Sequence, residues 1–537
     1  MKSIIVFYED TACAGSGYGD SFAGEKVFGG KSAEDLSGEW AACVSEDCSE
    51  NCSKDVVYIT SDEAETVCAL LAKMKEAADI HKADYVVFSW RDLPFLNKEL
   101  TKQLIEAHEN YSAEYTFADG YPYGLSPELI DAGTLGILVE LSKSVQKEMG
   151  QKKVCRESIF NLLKTDINSF EVETVLSPED FRLYRFHFDC SKKENFIACK
   201  ALYESVEKQE NCRLEQAGAV AELDSVKISQ LASKNPGVLK TVPGFYNIQI
   251  AESCAGKCIY CPYPAACAEK NGTLPEKCNG LMDYTQFSSL VDKIAVFSED
   301  AVIGLSAWGE PFKHPELLKM IEKVLSYEGL SVFLETDGSA VDEVFCSRLA
   351  EITENAAERK NGWQKVMIAV SVDAFTAETY KKMHGKDVNM MELAKVVSCL
   401  NKAVPGCIYP QFVRTNHNEE ELESFFRYWN EKSNVSAGNL IIQKYDDFAK
   451  LLPECKPADL SPIERNVCWH LRRDMTVLAN GDVPFCREYV LSGIIGNVFN
   501  EGLEEIWKKT DSALIEQMNC KYNEKCRDCD EYYTFNF

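Results

Sequence analysis

Short apolar runs alternate along most of the chain with stretches whose apolar residues recur at helical spacing. In the first part of the sequence the apolar runs cover residues 4–8, 55–60, 84–90 and 183–188. Helical patterns cover residues 63–80 and 96–108. Strands that alternate with helices in this way indicate a parallel or mixed α/β sheet. We therefore predict an α/β domain here.

The alternation restarts after a stretch marked by proline and glycine near residues 235–244. From there to about residue 445, six apolar runs alternate with helical stretches, which is typical of a partial (β/α)6 barrel. After Pro453 the pattern changes to short strand-like segments, glycines and cysteines. The chain is also longer than one hydrophobic core usually supports. We therefore predict three domains, over residues 1–225, 236–450 and 455–537.

The 537-residue chain carries a formal charge of −28 and contains 23 cysteines. Such a negative field repels nucleic-acid phosphates and anionic membranes, so neither is an expected partner. The amino terminus lacks the apolar core of a signal peptide, and no run approaches the roughly 18–20 apolar residues of a membrane-spanning helix. We therefore expect a cytoplasmic protein, in which thiols stay reduced. The cysteines are then metal ligands or small core residues rather than disulfide partners.

Three cysteines directly follow the first apolar run of the predicted barrel, with the spacing Cys254-x3-Cys258-x2-Cys261. Thiolates on one short loop can each bind one iron of a [4Fe–4S] cluster. The fourth iron is then left without a protein ligand and can bind another molecule, as a catalytic site requires. Two other interpretations of the triplet are a zinc loop without its fourth ligand and three structural cysteines.

Polar residues also lie at the ends of the next four apolar runs of the barrel, in the order Ala307-Trp308-Gly309-Glu310-Pro311, Thr336-Asp337-Gly338, Ser371-Val372-Asp373 and Arg414. Together with the cysteine motif, this order resembles the radical S-adenosylmethionine (SAM) superfamily, with Trp308 in place of the first glycine of a GGEP-type motif. The resemblance implies that Cys254, Cys258 and Cys261 hold the catalytic cluster. It also implies contacts with SAM from Tyr260, Gly309, Glu310, Thr336, Asp337, Ser371, Asp373 and Arg414.

The chemistry implied by this resemblance is the reductive cleavage of SAM. One electron from the cluster breaks the sulfonium and yields a 5′-deoxyadenosyl radical, which removes a hydrogen atom from the substrate. The resemblance therefore implies SAM as a cofactor, and a reductase, flavodoxin or ferredoxin as the electron donor.

A second set of cysteines lies near the carboxyl terminus, at Cys468, Cys486, Cys520, Cys526 and Cys529. Asn480-Gly481 predicts a two-stranded hairpin that brings Cys468 and Cys486 together. This segment resembles the SPASM or twitch domain, which implies one auxiliary [4Fe–4S] cluster on Cys468, Cys486, Cys526 and Cys529. Cys520 is left over or replaces one of the four, and structural zinc on the same thiolates is the alternative.

The remaining cysteines carry weaker signals. Cys43, Cys48 and Cys52 lie in a polar stretch, where a metal site is one interpretation and unrelated thiols the other. Cys267 and Cys278 have no ligand spacing and are expected to be packing residues.

The first domain resembles nucleotidylyltransferases of the sugar-nucleotide type, close to the cytidylyltransferase group. Asp92 lies in a segment similar to that family's Asp-x-Pro motif. Asp189 lies in residues 185–196, which are similar to the family's late strand with a second metal-binding aspartate. The resemblance implies Mg²⁺ and a nucleotide at these aspartates. However, Tyr123 and Ser126 replace two expected aspartates, and residues 9–32 contain no clear phosphate-binding loop. The three parts together resemble the arrangement called spiro-SPASM.

Three functions are compatible with these patterns. The first is a radical oxidoreductase that acts on a nucleotide-linked sugar or glycan precursor, suggested by the fusion with a nucleotidyltransferase-like domain. The second is a radical enzyme that modifies a peptide or protein, the common role of SPASM-bearing relatives. The third is a non-catalytic iron–sulfur protein that senses redox state.

Overall fold

A computed structural model describes the chain except for residues 12–21, 48–51, 144–150, 211–215, 255, 272–279, 361–362, 432–434, 459–460, 463–464 and 533–537. The contacts divide the chain into two compact units, Met1–Thr241 and Val242–Phe537. The predicted barrel and the cysteine-rich carboxyl-terminal segment therefore fall within one unit.

The first unit contains a six-stranded mixed sheet. Its strands are β1 (Ser3–Glu9), β2 (Cys52–Thr60), β3 (Tyr85–Trp90), β4 (Tyr115–Asp119), β5 (Glu128–Asp131) and β6 (Val172–Leu176). Their order in the sheet is β2-β1-β3-β5-β4-β6. β5 is antiparallel to both of its neighbours, and the other pairs are parallel. The mixed α/β sheet expected for this domain is confirmed.

Helices cover this sheet, which explains the continuous apolar runs of its central strands. All six residues of β3 are buried, as are the first six of β1. Parallel strands that are buried on both faces show no polar alternation. The α-helices of the unit are Ala33–Asp47, Val67–His81, Lys98–Tyr111, Ala132–Lys143, Ser158–Lys164, Lys193–Glu210, Ser225–Ser233 and Pro236–Leu239.

The predicted strand over residues 183–188 is wrong. Arg182–Tyr184 is a 3-10 turn, and Arg185 follows it with a left-handed backbone (φ +51°). The alternating aromatic residues that suggested a strand stack on one another instead, with the ring of Phe186 stacked on Tyr184 and on Phe188.

The second unit contains a seven-stranded parallel sheet that forms a half-barrel. Its strands are β7 (Phe245–Ile248), β8 (Ala301–Gly304), β9 (Leu330–Thr336), β10 (Val366–Ser371), β11 (Ile408–Arg414), β12 (Ile441–Lys444) and β13 (Asp474–Val477). The order is β12-β11-β10-β9-β8-β7-β13. The first six follow the chain order with helices between them, so the predicted partial (β/α)6 barrel is confirmed. The connecting α-helices are Tyr263–Asn271, Tyr284–Phe297, Leu317–Leu325, Glu343–Asn355, Ala377–His384, Met390–Ala403 and Leu422–Trp429.

The carboxyl-terminal segment adds an antiparallel pair and four short helices to this unit. The pair is β14 (Asp482–Pro484) with β15 (Ile494–Asn497). The helices are Trp469–Arg473, Leu503–Lys508, Asp511–Met518 and Glu524–Asp528. Among the described residues, no helix combines the length and apolar character that crossing a membrane requires.

The hairpin predicted at Asn480-Gly481 is only half correct. The turn forms, with Gly481 at φ +84°. The strands on either side of it do not pair with each other, because β13 joins the large sheet beside β7 and β14 pairs with β15. A turn motif fixes the local backbone, whereas the partner of each strand depends on distant residues.

Candidate functional site

The first cysteine motif follows β7, at the carboxyl edge of the half-barrel. Gly256 lies beside two of its thiols: an added Cβ would be 3.3 Å from Sγ of Cys258 and 3.5 Å from Sγ of Cys254. Desolvation, and to a lesser extent the neighbouring Cys254, raises the pKa of Cys261 to about 12. Neighbouring thiols in a desolvated pocket fit a metal centre, because the metal supplies the charge that stabilises each thiolate. The donor set fits three irons of a [4Fe–4S] cluster.

The tip of this loop is held by the end of the first helix after β10. The amide of Lys257 donates to the His384 carbonyl (3.1 Å), and the amide of Ile259 donates to the Met383 carbonyl (3.0 Å). Gly385 ends that helix at φ +66°, where an added Cβ would lie only 2.9 Å from Cβ of Lys257. The helix end and the cluster loop therefore form one backbone unit.

Two expected SAM-binding residues, Gly309 and Glu310, lie against the start of the cluster loop. A Cβ added to Gly309 would lie 1.7 Å from the carbonyl oxygen of Ala251, so only glycine fits. The Glu310 amide donates to the Ser253 carbonyl at 3.0 Å. Trp308, which replaces the motif's first glycine, has a left-handed backbone (φ +52°). Trp308 thus adopts a backbone conformation that glycine favours, although its side chain is large.

The Glu310 carboxylate receives hydrogen bonds from the end of β9. The Thr336 hydroxyl donates to Oε1 at 2.8 Å, and the Asp337 amide donates to Oε2 at 3.1 Å. Desolvation, and then the nearby Asp337 carboxylate, raises the pKa of Glu310. A cationic partner such as an ammonium group would stabilise the charged form of this buried carboxylate. The structure thus brings these expected SAM-binding residues together.

Asp373 is fully buried after β10 and organises the neighbouring part of the site. Its carboxylate accepts hydrogen bonds from the Tyr260 hydroxyl (2.8 Å) and the Val413 amide (2.5 Å). The Ser371 side chain also hydrogen-bonds Tyr260. Nε2 of His384 lies 3.0 Å from Oδ2 of Asp373. The sequence patterns single out Tyr260, Ser371 and Asp373 but not His384, whose only local signal is a helix end before glycine.

Arg414 ends β11, as expected, but its guanidinium is engaged by Glu419. Nε lies 2.8 Å and Nη2 2.5 Å from the two carboxylate oxygens. A contact between Arg414 and the carboxylate of SAM would have to replace this ion pair. The contact therefore stays a prediction.

Four of the carboxyl-terminal cysteines line one cavity, namely Cys468, Cys486, Cys526 and Cys529. Desolvation, and more weakly the nearby Cys526, raises the pKa of Cys468 to about 12. Cys520 is exposed, has a left-handed backbone (φ +56°) and is absent from the lining. Four thiols around a cavity fit an auxiliary [4Fe–4S] cluster, and the same geometry suits zinc.

In the first unit, Arg156 lies between the two aspartates expected to bind magnesium. Its guanidinium forms a bidentate pair with Asp92 (2.8 and 2.5 Å), approaches Asp189 to 3.8 Å and packs over Trp90. Desolvation by itself raises the pKa of Asp189, but Arg156 and local hydrogen bonds outweigh it and lower that pKa to about 2. The guanidinium already places a positive charge beside both carboxylates, where the cation would bind. The expected Mg²⁺ site is therefore not supported.

Among the cysteines with weaker signals, Cys267 has surroundings that the structure describes. Cys267 is buried in an apolar cluster with Tyr263 and Phe448, as expected for a packing residue. Cys48, Cys278 and the side chain of Cys52 lie outside the described residues, so the metal site suggested for Cys43, Cys48 and Cys52 stays one of two interpretations.

Two family models match the chain in the regions just described. The radical SAM superfamily matches residues 248–428, and the SPASM iron–sulfur cluster-binding domain matches residues 468–530. An uncharacterized protein of Treponema pallidum (strain Nichols) is 34% identical over 391 residues, which are 71% of this chain and 99% of that protein.

Other similarities concern single parts of the chain. The spore coat polysaccharide biosynthesis protein SpsF of Bacillus subtilis (strain 168) is 23% identical over 186 residues, 35% of this chain and 69% of that protein. The structure of BtrN with AdoMet and 2-DOIA covers 54% of this chain and 93% of its own, at 13% identity and a TM-score of 0.34. A cytidylyltransferase of Leptospira borgpetersenii covers 45% and 98%, at 14% identity and a TM-score of 0.32.

The family models and the relative that matches along nearly its whole length agree with the sequence motifs. The chain belongs to the radical SAM superfamily, with a carboxyl-terminal SPASM domain and an amino-terminal nucleotidyltransferase-like domain.

Proposed function

We propose that this protein cleaves SAM reductively and uses the resulting 5′-deoxyadenosyl radical to oxidise a bound substrate. The observation that carries the proposal is the meeting of three groups at one edge of the half-barrel. They are the thiols of the cluster loop, the Gly309-Glu310 segment and Asp373. When bound, a [4Fe–4S] cluster and SAM supply a one-electron cleavage of the carbon–sulfur bond.

The residues around this edge have separate tasks in the proposal. Cys254, Cys258 and Cys261 hold three irons and leave the fourth for SAM. Glu310, buried and oriented by Thr336, attracts the ammonium group of SAM. These contacts fix the direction of the sulfonium, and the buried surroundings exclude water from a reactive radical.

The four-cysteine cavity supports an oxidation rather than a redox-neutral rearrangement. Loss of a hydrogen atom leaves a substrate radical, and a two-electron oxidation requires a second electron to leave it. A fully ligated auxiliary [4Fe–4S] cluster on Cys468, Cys486, Cys526 and Cys529 is the proposed acceptor. Zinc on the same thiols could not accept this electron.

The test of this reaction is anaerobic reconstitution followed by iron and sulfide analysis and an assay of SAM with dithionite. About eight irons per chain and 5′-deoxyadenosine are expected for two clusters. About four irons with 5′-deoxyadenosine would keep SAM cleavage and assign zinc to the four-cysteine cavity. Bound iron without SAM cleavage, with or without candidate substrates, would contradict the proposal and favour the redox sensor.

As the substrate class we propose a nucleotide-linked sugar or a related glycan precursor. Its support is the nucleotidyltransferase-like domain and the similarity to a protein of spore coat polysaccharide biosynthesis. Because Arg156 takes the place of a cation, we expect this domain to bind its ligand without Mg²⁺. Calorimetry with CTP and nucleotide sugars, with and without Mg²⁺, should give heat that the metal does not change.

A deuterated ligand identified by calorimetry should then transfer deuterium to 5′-deoxyadenosine. No heat with any nucleotide or nucleotide sugar would refute this substrate class, and peptide modification would become the leading function. We further propose a cytoplasmic protein that receives electrons from a reductase, a flavodoxin or a ferredoxin.

A further inference from the structure

His384 lies between a cluster ligand and the buried carboxylate of the SAM site. Its Nδ1 is 3.2 Å from Sγ of Cys258, and its Nε2 is 3.0 Å from Oδ2 of Asp373. The imidazole is fully buried and stacks on Tyr380, with ring centroids 4.0 Å apart and an interplanar angle of 17°. Two polar contacts and one packed face therefore determine the orientation of the ring.

The backbone fixes the same arrangement. The amides on either side of Cys258, those of Lys257 and Ile259, donate to the carbonyls of His384 and Met383. The backbone segments that carry the two side chains are therefore held together, with Nδ1 3.2 Å from the sulfur.

We propose that His384 donates a hydrogen bond from Nδ1 to the sulfur of Cys258 and thereby raises the reduction potential of the cluster bound there. The inference rests on the proposed function, which places that cluster on the loop. A cysteine bound to iron has no proton, so the proton of this hydrogen bond must come from the ring. The donor is therefore Nδ1–H, and the neutral ring with its proton on Nδ1 is sufficient for this bond.

The direction of the effect follows from charge. The reduced cluster is one unit more negative than the oxidised cluster, and hydrogen bonds to its sulfurs stabilise it. His384 is therefore a positioning residue, which acts on the reaction through Cys258 rather than by touching SAM. Its removal should lower the potential and make the cluster harder to reduce.

The test is a redox titration of the reconstituted full-length protein, followed by the EPR signal of the reduced cluster. Only the signal that changes when SAM is added is assigned to this cluster. The variants are His384→Phe, which keeps the stacked ring, and His384→Asn, whose amide nitrogen takes the place of Nδ1. The control is Tyr380→Phe, because the hydroxyl of Tyr380 has no hydrogen-bond partner among the described residues.

At a fixed applied potential, we expect His384→Phe to reduce the ratio of reduced to oxidised cluster by about tenfold or more. This corresponds to a midpoint potential that is lower by about 59 mV for one electron. His384→Asn and Tyr380→Phe should stay near the wild type. An unchanged potential in His384→Phe would overturn the proposal. If that variant fails to assemble a cluster, His384→Gln, whose amide reaches toward Asp373 instead, takes its place with the same expected result.

The proposed function fails in a different way. If the wild-type protein has no iron on this loop, or no EPR signal that responds to SAM, both the proposed function and the role of His384 are overturned. A SAM-responsive signal with the same potential in the wild type and in His384→Phe would overturn only the role of His384.

Discussion

Substitution of Gly309 by alanine should separate the SAM-binding segment from the cluster loop. The added Cβ would lie 1.7 Å from the carbonyl oxygen of Ala251, and side-chain carbons essentially never approach closer than 3.0 Å. The two backbones must therefore move apart by at least about 1.3 Å. That movement breaks the 3.0 Å hydrogen bond from the Glu310 amide to Ser253 and displaces the Glu310 carboxylate.

The expected loss is one charge-assisted contact with the ammonium group of SAM, worth about 1.5–3 kcal/mol. This corresponds to SAM binding that is about ten to a hundred times weaker. Equilibrium dialysis with labelled SAM measures it, on protein with iron content matched to the wild type. Gly502→Ala is the control, because its added Cβ would meet nothing closer than 3.8 Å. Wild-type affinity in Gly309→Ala would refute the assignment of this segment to SAM.

Three further predictions concern the other sites. Cys486→Ala should lose about four irons per chain and keep SAM cleavage, and loss of zinc instead would show that the cavity is a zinc site. Arg156→Ala should lower the free energy of unfolding by about 3–5 kcal/mol, because Asp92 and Asp189 lose their shared counter-charge. The two carboxylates should then bind Mn²⁺, which EPR detects, and no bound Mn²⁺ would refute the idea that Arg156 replaces a cation. Substitution of the exposed Arg182 by alanine is the control. Because the pKa of Asp189 is lowered from 3.8 to about 2, this carboxylate should contribute about 2 kcal/mol of stability above about pH 4 that is lost as the pH falls toward 2; urea titrations of Asp189→Asn should lack this loss, and an unchanged acid profile would contradict it.

The half-barrel could be predicted because its strands are buried on both faces. Five of the six residues of β10, for example, are buried, and such a strand appears in the sequence as a continuous apolar run. The cluster cysteines could be found for a related reason, since three ligands on one loop leave a local spacing. Each of these signals is local, because the residues that carry it lie within a few positions of one another in the sequence.

The features that the sequence did not reveal depend on distant pairings. His384 lies 126 positions from Cys258, and Arg156 lies 64 positions from Asp92. An isolated histidine at a helix end, or an isolated arginine, has many ordinary explanations in a sequence. The pairing of β13 with β7 is equally remote. Only the folded chain shows that these residues meet.

The most direct test of the central claim is the amount of 5′-deoxyadenosine that reconstituted Cys258→Ala forms from SAM and dithionite. Cys346→Ala is the control, because Cys346 is a buried cysteine in the apolar core of the same unit. We predict no 5′-deoxyadenosine from Cys258→Ala and wild-type amounts from Cys346→Ala. Formation of 5′-deoxyadenosine by Cys258→Ala would contradict the assignment of the catalytic cluster to this loop.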